Sequence, residues 1–408
     1  MSGLRIRGRP KITGAQRDTL RRPAASRLAT PEASARNGAV LSVAAWASAR
    51  PQPQNGRQPM TPQVRFAESA DIPQLFSLKW QLAIAERMTA TMCATEADWY
   101  REGFGRGGRF AALVAEIDGR VVGMLTFQER YDAQYQSTLY IEDLFVEPPC
   151  RKLGVASALL ADLAAHARAR EIPRIELNVR EDNRAARRLY RELGFERRRD
   201  SVISILSSDM LLDRAKDRAK DRARDRAKDR TKAARRPEPI ADHVRLADRN
   251  DAARLCELKR QAAIRGETTH AVYPTEDHWI RDSFGTAQPR FTTLIAESDA
   301  TIVGMLTYSL RSYTALPKPA IAIVDLFVDP AYRRQAIGSS LMAELSAHAS
   351  EHQYPHIELH TGTHNSAARA MSRKLGFVQV RHCVTYLLAG SPLRQLADAA
   401  ANAASLLN

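Results

Sequence analysis

The sequence predicts two consecutive copies of one α/β domain, each with a sheet flanked by helices. Val122–Thr126 recurs letter for letter as Val303–Thr307, and Asp143–Val146 recurs as Asp325–Val328. Within each copy, short apolar runs typical of strands alternate with longer runs of helical period. A chain of 408 residues is also long for one hydrophobic core. These observations indicate a tandem duplication of a domain of about 150 residues.

The elements of the first copy follow in a definite order. Asp71–Glu86 carries apolar residues at helical spacing and predicts a helix. Two apolar runs, Phe110–Ile117 and Val121–Phe127, flank the turn residues Asp118-Gly119, which predicts a β-hairpin. The predicted elements after the hairpin are a strand, a helix, a strand, a helix and a last strand, namely Leu139–Val146, Ser157–Arg170, Arg174–Val179, Ala185–Leu193 and the residues after Gly194-Phe195.

Composition divides the chain into five segments. The two domain copies are expected over residues 63–212 and 243–392. The other segments are an extension predicted to be disordered, a charged spacer and a C-terminal tail, over 1–62, 213–242 and 393–408. The spacer repeats blocks that open with Asp-Arg and has no apolar stripe, so either a solvated helix or a flexible linker is expected.

The net charge of +15 belongs to the extension and the spacer. Residues 1–59 carry 11 Lys+Arg against 2 Asp+Glu, and residues 213–236 carry 12 against 5, so the two domains are close to neutral. A folded basic face is therefore not expected, which argues against specific nucleic-acid binding. Binding of acidic partners by the spacer is the alternative.

Cysteine usage and hydropathy predict the compartment. The four cysteines show neither metal-ligand nor redox-pair spacing, which indicates a reducing environment. No apolar run approaches the ~20 residues of a membrane helix, so no membrane contact is expected and the predicted location is cytoplasmic. An organellar location is the alternative, because the extension 1–62 is Arg-rich and acid-poor like a transit peptide. A translation start at Met60 would also explain the extension.

Residues Arg151–Ser157 predict an anion site. They follow the apolar strand Leu139–Val146, contain Gly154 and lead into the helix that is predicted to begin at Ser157. The first N–H groups of a helix have no partner within it, and the helix dipole adds positive charge there. A diphosphate fits such a site. The same construction recurs 182 residues later at Arg333–Ser339, in altered form.

Three segments of the first copy lie in a fixed register. Val146–Ala156 contains an Arg-x-x-Gly-x-Ala loop, and Asn183–Tyr190 and Gly194-Phe195 follow it. In this register the segments resemble the GNAT superfamily of acetyl-CoA-dependent N-acetyltransferases, and the resemblance covers 64–212 and 244–390. It implies a mixed, mostly antiparallel sheet in each copy and acetyl-CoA as co-substrate, without a metal.

The resemblance implies a cofactor site residue by residue. Backbone N–H groups of the loop would hold the CoA pyrophosphate, and Gly154 would permit its close approach. The end of the preceding strand would offer backbone groups to the pantetheine arm, and Asn183 would contact CoA or brace the thioester. The implied cofactor-binding residues are Leu144, Phe145, Val146, Arg151, Lys152, Leu153, Gly154, Val155, Ala156, Ser157 and Asn183.

Acetyl transfer to an amine needs a base for the ammonium and an acid for the leaving thiolate. Glu142 at the end of the strand is the predicted base, and Tyr190, where the family places its general acid, is the predicted acid. The alternatives are a solvated strand residue and a packed aromatic ring. Asp143 alternates to the other face and is assigned to structure or to substrate orientation. Further candidates for the acceptor site, with loop packing as the alternative, are Glu129, Tyr131 and Tyr135.

The segment Tyr140–Val146 is similar to diamine and some antibiotic N-acetyltransferases. The adjacent carboxylates of Glu142 and Asp143 suit a cationic substrate, so a small polyamine-like or aminoglycoside-like amine is the expected acceptor. A protein or peptide amine is one alternative. A non-catalytic acyl-CoA-binding sensor or scaffold is another.

The second copy departs from the first at the predicted site. It has Val324, Ala336 and Ser372 where the first copy has its base, its loop glycine and its acid, so it is predicted to be degenerate. It is expected to form an internal pseudo-dimer with the first copy, in a monomer or a homodimer. Its vestigial cofactor-binding residues are Val328, Arg333, Arg334, Ile337, Gly338, Ser339 and Asn365. Three histidines are expected to face solvent, with metal binding as the alternative, namely His356, His360 and His364.

Overall fold

The structure is a computed structural model that describes residues 61–131, 137–207, 243–265, 275–286, 288–381 and 383–405. All but the last two residues of the predicted extension 1–62, and the whole of the predicted spacer 213–242, lie outside the described residues. Within the described residues, no helix is both long enough and apolar enough to cross a bilayer.

The first copy follows the predicted order of elements. Its hairpin turns at Asp118 and Gly119, whose φ angles of 51° and 74° are those of a two-residue turn between twisted strands. The elements are β1 (Gln63–Phe66), α1 (Ile72–Ala85), α2 (Glu96–Trp99), β2 (Ala111–Ile117), β3 (Arg120–Tyr131), β4 (Ser137–Val146), α3 (Val155–Ala169), β5 (Arg174–Arg180), α4 (Arg184–Glu192), β6 (Glu196–Arg197) and β7 (Ser201–Ser207).

The second copy repeats this order and adds a C-terminal helix. The elements are β8 (His243–Leu246), α5 (Ala252–Arg265), α6 (Glu276–Trp279), β9 (Thr292–Ser298), β10 (Thr301–Arg311), β11 (Ala320–Val328), α7 (Ile337–Glu351), β12 (His356–Gly362), α8 (Ser366–Lys374), β13 (Val378–Gln379), β14 (Cys383–Ala389) and α9 (Gly390–Ser405).

The strands form two seven-stranded sheets, in the orders β1-β2-β3-β4-β5-β14-β6 and β8-β9-β10-β11-β12-β7-β13. Neighbouring strands are antiparallel except for the pairs β4–β5 and β11–β12, which are parallel. The predicted fold class, a mixed and mostly antiparallel sheet flanked by helices in each copy, is confirmed.

The two halves of the chain exchange their last strands. β14 from the second half pairs with β5 over all seven of its residues, Cys383–Ala389, and β7 from the first half pairs with β12 over Ser201–Ser207. The predicted ranges 63–212 and 243–392 follow the chain, whereas each sheet contains one strand from the other range. The exchange joins the two copies by continuous main-chain hydrogen bonding.

Of the residues predicted to be a tail, 393–408, the structure describes 393–405, and these form most of helix α9. This helix packs on α3 of the first copy, and Leu393, Leu396 and Ala397 are buried in the same core as the first sheet. Arg168 of α3 and Asp398 of α9 form an ion pair on the outside of this contact. The segment is ordered because its apolar face, spaced three and four residues apart, finds a helix to cover.

The repeated Val-Gly-Met-Leu-Thr segment has a packing explanation. A Cβ atom on Gly123 would lie 2.8 Å from Cγ1 of Val155, and one on Gly304 would lie 2.9 Å from Cγ2 of Ile337. Both distances are shorter than real Cβ contacts, so each glycine lets the first turn of a helix, α3 or α7, lie against the sheet. The helix N-terminus is thereby fixed close to the end of β4 or β11.

Leu388 in β14 and Leu206 in β7 are fully buried, each in the core of the opposite half. Leu388→Ala should lower the free energy of unfolding of the first sheet by about 2–5 kcal/mol, and Leu206→Ala that of the second sheet, because each leaves a cavity in that core. Amide hydrogen exchange should show lost protection first in β2 and β3 for Leu388→Ala and first in β9 and β10 for Leu206→Ala. Loss of protection confined to the half that carries the substitution would contradict the exchange of strands.

Candidate functional site

The predicted site begins where β4 and β5 separate. β4 pairs in parallel with β5 over Leu139–Ile141 only, so the last five residues of β4 diverge from β5. On its other edge, the register with β3 shifts between Ile141 and Asp143, and Glu142 is the extra residue of a β-bulge. The divergence leaves backbone groups of Leu144–Val146 facing a cleft, as the resemblance implied.

The loop after β4 has the geometry of an anion site. Gly154, which caps α3, has φ +83° and ψ −3°, and a Cβ atom there would meet nothing within 4 Å. Lys152 is also left-handed, with φ +65°. Alternation of this kind turns successive N–H groups toward one side, and the free N–H groups of the first turn of α3 add to them. The loop is tied to the strand by Arg151, whose Nε donates to the Val146 carbonyl at 3.1 Å.

A cavity of about 860 Å³ opens between this loop, α1 and α4. Its wall brings together all the predicted cofactor-binding residues except Leu153, which is 44% exposed. Tyr190 also lines it, whereas Glu142 does not. The remaining lining residues were not predicted, and the charged ones among them are Glu86, Arg87, Arg180, Asp182 and Glu192.

Asn183 has a structural role in addition to its predicted contact with CoA. Its Oδ1 accepts a hydrogen bond from the N–H of Ala186 at 3.1 Å and caps α4. Asn365 does the same for Ala368 at 3.0 Å in the second copy. The side-chain amide N–H groups of Asn183 lie at the wall of the cavity, so capping and a contact with CoA are compatible.

Tyr190 is a buried ring at the inner wall of the cavity. Its ring centroid lies 5.4 Å from that of Phe195 and 6.0 Å from that of Tyr386, which comes from the exchanged strand β14. Burial, and secondarily the Glu86 carboxylate, raise the pKa of Tyr190 well above its usual value. The phenol therefore keeps its proton at neutral pH, as an acid catalyst must.

Glu142 is largely covered, with 14% of its side chain exposed, and lies beside Arg130, which no sequence pattern singled out. Arg130 Nη2 lies 3.3 Å from Glu142 Oε2, and the Arg130 guanidinium stacks on the Tyr140 ring at 3.2 Å from its centroid. Desolvation raises the pKa of Glu142 to about 7, against the attraction of Arg130, which lowers it. A carboxyl group with this pKa can both accept and release a proton near neutral pH.

Asp143 is fully engaged by groups of the protein. Lys79 Nζ donates to its Oδ1 at 2.6 Å, while its Oδ2 accepts from Thr126 Oγ1 at 3.0 Å and from Thr314 Oγ1 at 2.6 Å. Lys79 and Asp143 are both buried, and Lys259 pairs with Asp325 in the same way in the second copy. Of the two roles predicted for Asp143, these contacts provide the structural one, and substrate orientation stays a prediction.

Thr314 belongs to a loop of the second copy that packs against the first copy beside Asp143. The segment Ser312–Pro317 follows β10, and its Thr314 carbonyl accepts from Trp99 Nε1 at 2.8 Å. The Ala315 carbonyl accepts from the N–H groups of Cys93 and Ala94 at 2.9 and 3.1 Å. Thr314 is only 2% exposed. The second copy therefore forms part of the wall around Asp143.

Two of the three remaining acceptor-site candidates, Glu129 and Tyr131, lie near the end of β3 in the first copy. Tyr131 faces the ring of Phe291 at 6.2 Å and the guanidinium of Arg290 at 5.3 Å, and Glu129 pairs with Arg170 and Arg290. Both residues thus contact the second copy. Tyr135 lies outside the described residues.

The second copy keeps the backbone of the anion loop. Ala336 has φ +61° and ψ 2°, and Arg334 has φ +66°, close to the angles of Gly154 and Lys152. Arg333 Nε donates to the Val328 carbonyl at 3.0 Å. An alanine in the left-handed region costs about 1–2 kcal/mol, so the loop shape persists at some expense of stability.

The three histidines predicted to face solvent, His356, His360 and His364, lie on or just after β12, near a buried ion pair. Glu358 accepts a hydrogen bond from Arg311 at 2.7 Å and also contacts His360 and Tyr313. Although burial acts in the opposite direction, Arg311 and His360 together lower the pKa of the Glu358 carboxyl well below its usual value. His356 packs on Tyr313 at 5.1 Å between ring centroids, so this histidine, predicted to face solvent, is largely covered. In the described part of the chain, no three metal-ligating groups gather.

A sequence model of the acetyltransferase (GNAT) family matches residues 73–195 and 254–377, which together exceed half of the chain. The chain therefore belongs to this family, as the sequence resemblance predicted. Spermidine/spermine N(1)-acetyltransferase-like protein 1 of Homo sapiens is 33% identical over 109 residues, which are 25% of this chain and 16% of that protein. The chain thus spans less than a fifth of the length of this curated relative.

Two solved structures resemble this chain over most of its length. A GCN5-related N-acetyltransferase from Sphaerobacter thermophilus superposes with a TM-score of 0.50 at 15% identity, over 80% of this chain and 95% of that one. A tandem GNAT protein from the clavulanic acid biosynthesis pathway has a TM-score of 0.48 at 18% identity, over 81% of this chain and 98% of that one. The superposition on the Sphaerobacter thermophilus structure supports the fold described above.

The two anion loops make a matched pair for substitution. Gly154→Ala should lower the free energy of unfolding by about 1–2 kcal/mol, because it places a Cβ in the left-handed region. Ala336→Gly should raise it by up to about 1 kcal/mol, since relief of the same strain is offset by the greater entropy of the unfolded glycine. Urea unfolding measures both, and shifts of the two variants in the same direction would contradict the equivalence of the loops.

Proposed function

We propose that the first copy transfers an acetyl group from acetyl-CoA to a primary amine, and that the acceptor is a small cationic amine. The observation that carries the proposal is the position of Glu142, a largely covered carboxyl group (14% of its side chain is exposed) that lies just before the diverging end of β4 and the anion loop. Its pKa of about 7 suits a base at neutral pH. Acetyl-CoA would supply the activated thioester. The loop residues fit its pyrophosphate, because Gly154 leaves open space where a side chain would block the approach.

Two residues carry out the two proton transfers, one from the ammonium and one to the thiolate. Glu142 accepts a proton from the bound ammonium, directly or through a water, and so provides the neutral amine that attacks the thioester carbonyl. Tyr190 donates its proton to the departing sulfur, and the second proton, which the nitrogen loses as the amide forms, returns the phenol to its neutral form. Arg130 positions the Glu142 carboxylate and keeps its pKa from rising further. The N–H groups of Leu144–Val146 orient the pantetheine arm between the two residues.

A small cationic acceptor is supported by the charges and the covered wall of the site. Glu86 is half-buried at the cavity wall, and burial raises its pKa. It lies close enough to influence the pKa of Tyr190, which puts a second carboxylate near the reacting end. Thr314 of the loop Ser312–Pro317 contacts Trp99 and Asp143 of the first copy, and we expect this loop to restrict access by a large substrate. The curated relative that bears a spermidine/spermine acetyltransferase name agrees with this choice.

The pH profile tests the predicted base. The carboxylate form of Glu142 grows as the pH rises through about 7, so kcat/KM should rise over the same range. Glu142→Gln should lower kcat/KM by about 10²- to 10⁴-fold and remove this limb. Arg130→Met should move the limb to higher pH, because it removes the charge that favours the carboxylate. A profile that Glu142→Gln leaves unchanged would exclude this residue as the base.

Tyr190 is tested in the same assay with a neighbouring ring as control. Tyr190→Phe should lower kcat by about 10²-fold or more. Tyr386→Phe removes a hydroxyl from the ring packed 6.0 Å away, which is buried in the core and does not line the cavity. This control should retain kcat within about twofold.

An amine panel distinguishes the acceptor classes. Thiol release from acetyl-CoA should be fastest with spermidine-like polyamines or aminoglycosides, slower with butylamine and slowest with peptide amines. Glu86→Gln should raise KM for spermidine about tenfold with little change for butylamine, because one charge-assisted contact is lost. Release with peptides alone would favour the protein-acetylating alternative, and tight CoA binding without release from any amine would favour the sensor.

A further inference from the structure

The second copy contains a cavity of its own, away from its anion loop. It has a volume of about 320 Å³ and lies between α8, β13 and the exchanged strand β7. Its wall includes neither the loop residues 333–339 nor Asn365. The lining residues are Val202, Ser204, Arg369, Ser372, Arg373, Phe377, Val378, Gln379 and Arg381.

Two tyrosine-to-serine differences create this cavity. Ser372 precedes Gly376-Phe377 as Tyr190 precedes Gly194-Phe195. The strand register supplies the second difference, because Ser204 of β7 opposes Leu359 while Tyr386 of β14 opposes Leu177, at the same place in the other sheet.

The aromatic cluster of the first copy shows what is missing. There Tyr190 packs against Phe195 and Tyr386, with centroids 5.4 and 6.0 Å away. In the second copy only the phenylalanine, Phe377, is kept, and the two phenol rings are replaced by the buried serines Ser204 and Ser372. The space those rings would fill is open, and one of the two serines comes from each half of the chain.

The charges around the opening are all of one sign. Arg369 and Arg373 lie four residues apart on one face of α8, and Arg381 follows β13. Among the described residues that line the cavity, none is acidic. The Nε of Arg369 is buried without a hydrogen-bond partner in the described part of the chain. An arginine stays protonated, so a buried unpaired N–H of this kind favours an acceptor with negative charge.

We propose that this cavity binds a small organic anion, with a phosphate or carboxylate group on the three arginines and a short apolar or aromatic group against Phe377 and Val378. The site goes beyond the acetyl transfer proposed for the first copy. Its volume suits one ring with one charged group and falls well below that of the cavity proposed for acetyl-CoA. Val378 is 66% exposed at the opening, which leaves apolar surface for such a ring.

Isothermal titration of the whole protein with three probes tests the site. Phenyl phosphate and benzoate share a ring and differ in the charged group, and benzyl alcohol has the ring without charge. Saturating CoA is present throughout, so that the anion loop of the first copy is not available to the probes. At least one anionic probe should bind at a single site, and benzyl alcohol should bind at least tenfold more weakly. Equal binding of all three probes, or no binding of either anion, overturns the proposal.

Matched arginine variants locate the binding. The double substitution Arg373→Gln and Arg381→Gln should weaken binding of the anionic probe by about tenfold or more. Both side chains are exposed, so the fold should be kept. Arg191→Gln with Arg199→Gln changes the equivalent exposed arginines of the first copy and should leave probe affinity unchanged. If the two double variants weakened probe binding equally, the effect would come from the general charge of the protein, and the proposed site would be wrong.

Filling the cavity gives an independent test. Ser372→Tyr restores the ring found at this position in the first copy, and it should abolish probe binding. Circular dichroism and the unfolding midpoint report whether this variant is folded, and the arginine pair decides the question if it is not. Full binding to a folded Ser372→Tyr would place the probe elsewhere and contradict the proposal.

Discussion

The exchange of β7 and β14 is the constraint on which the rest of the structure depends. Each strand gives seven residues of antiparallel pairing to the opposite sheet, and without it β5 or β12 would be an open edge. β14 also carries the ring that packs on Tyr190, and it leads into the helix that covers α3. The packing behind Tyr190 in the first copy therefore depends on a strand of the second copy, which lacks the predicted base and acid.

This dependence explains which features both copies share. Arg65 with Asp71 and Arg245 with Asp251 form the same ion pair, and the close glycines Gly123 and Gly304 serve the same packing. The shared features hold the framework together. The differences gather at the reacting groups and at the two serines, where the framework tolerates change. The second copy can thus lack the predicted base and acid and still keep the fold that the first copy needs.

The sequence predicted what local pattern determines. The left-handed position at Gly154, the hairpin turn and the limits of α1 all depend on neighbouring residues, and the structure agrees with them. The destination of β7 could not be predicted, because an alternating strand carries no information on which of two similar sheets it joins. The partnership of Arg130 with Glu142 and the approach of Thr314 to Asp143 join residues 12 and 171 positions apart. The ordered C-terminal helix was missed because its apolar face is short and rich in alanine.

The exchanged strand has a consequence for how the protein is made. A ribosome releases the first copy long before the second, and most domains fold in that order. Here the first sheet lacks an inner strand until residue 389 has been synthesised, so the sheet that carries the predicted active site is completed last. Until then β5 is an exposed edge in a chain of high contact order, and the nascent protein has to keep it from pairing with other chains.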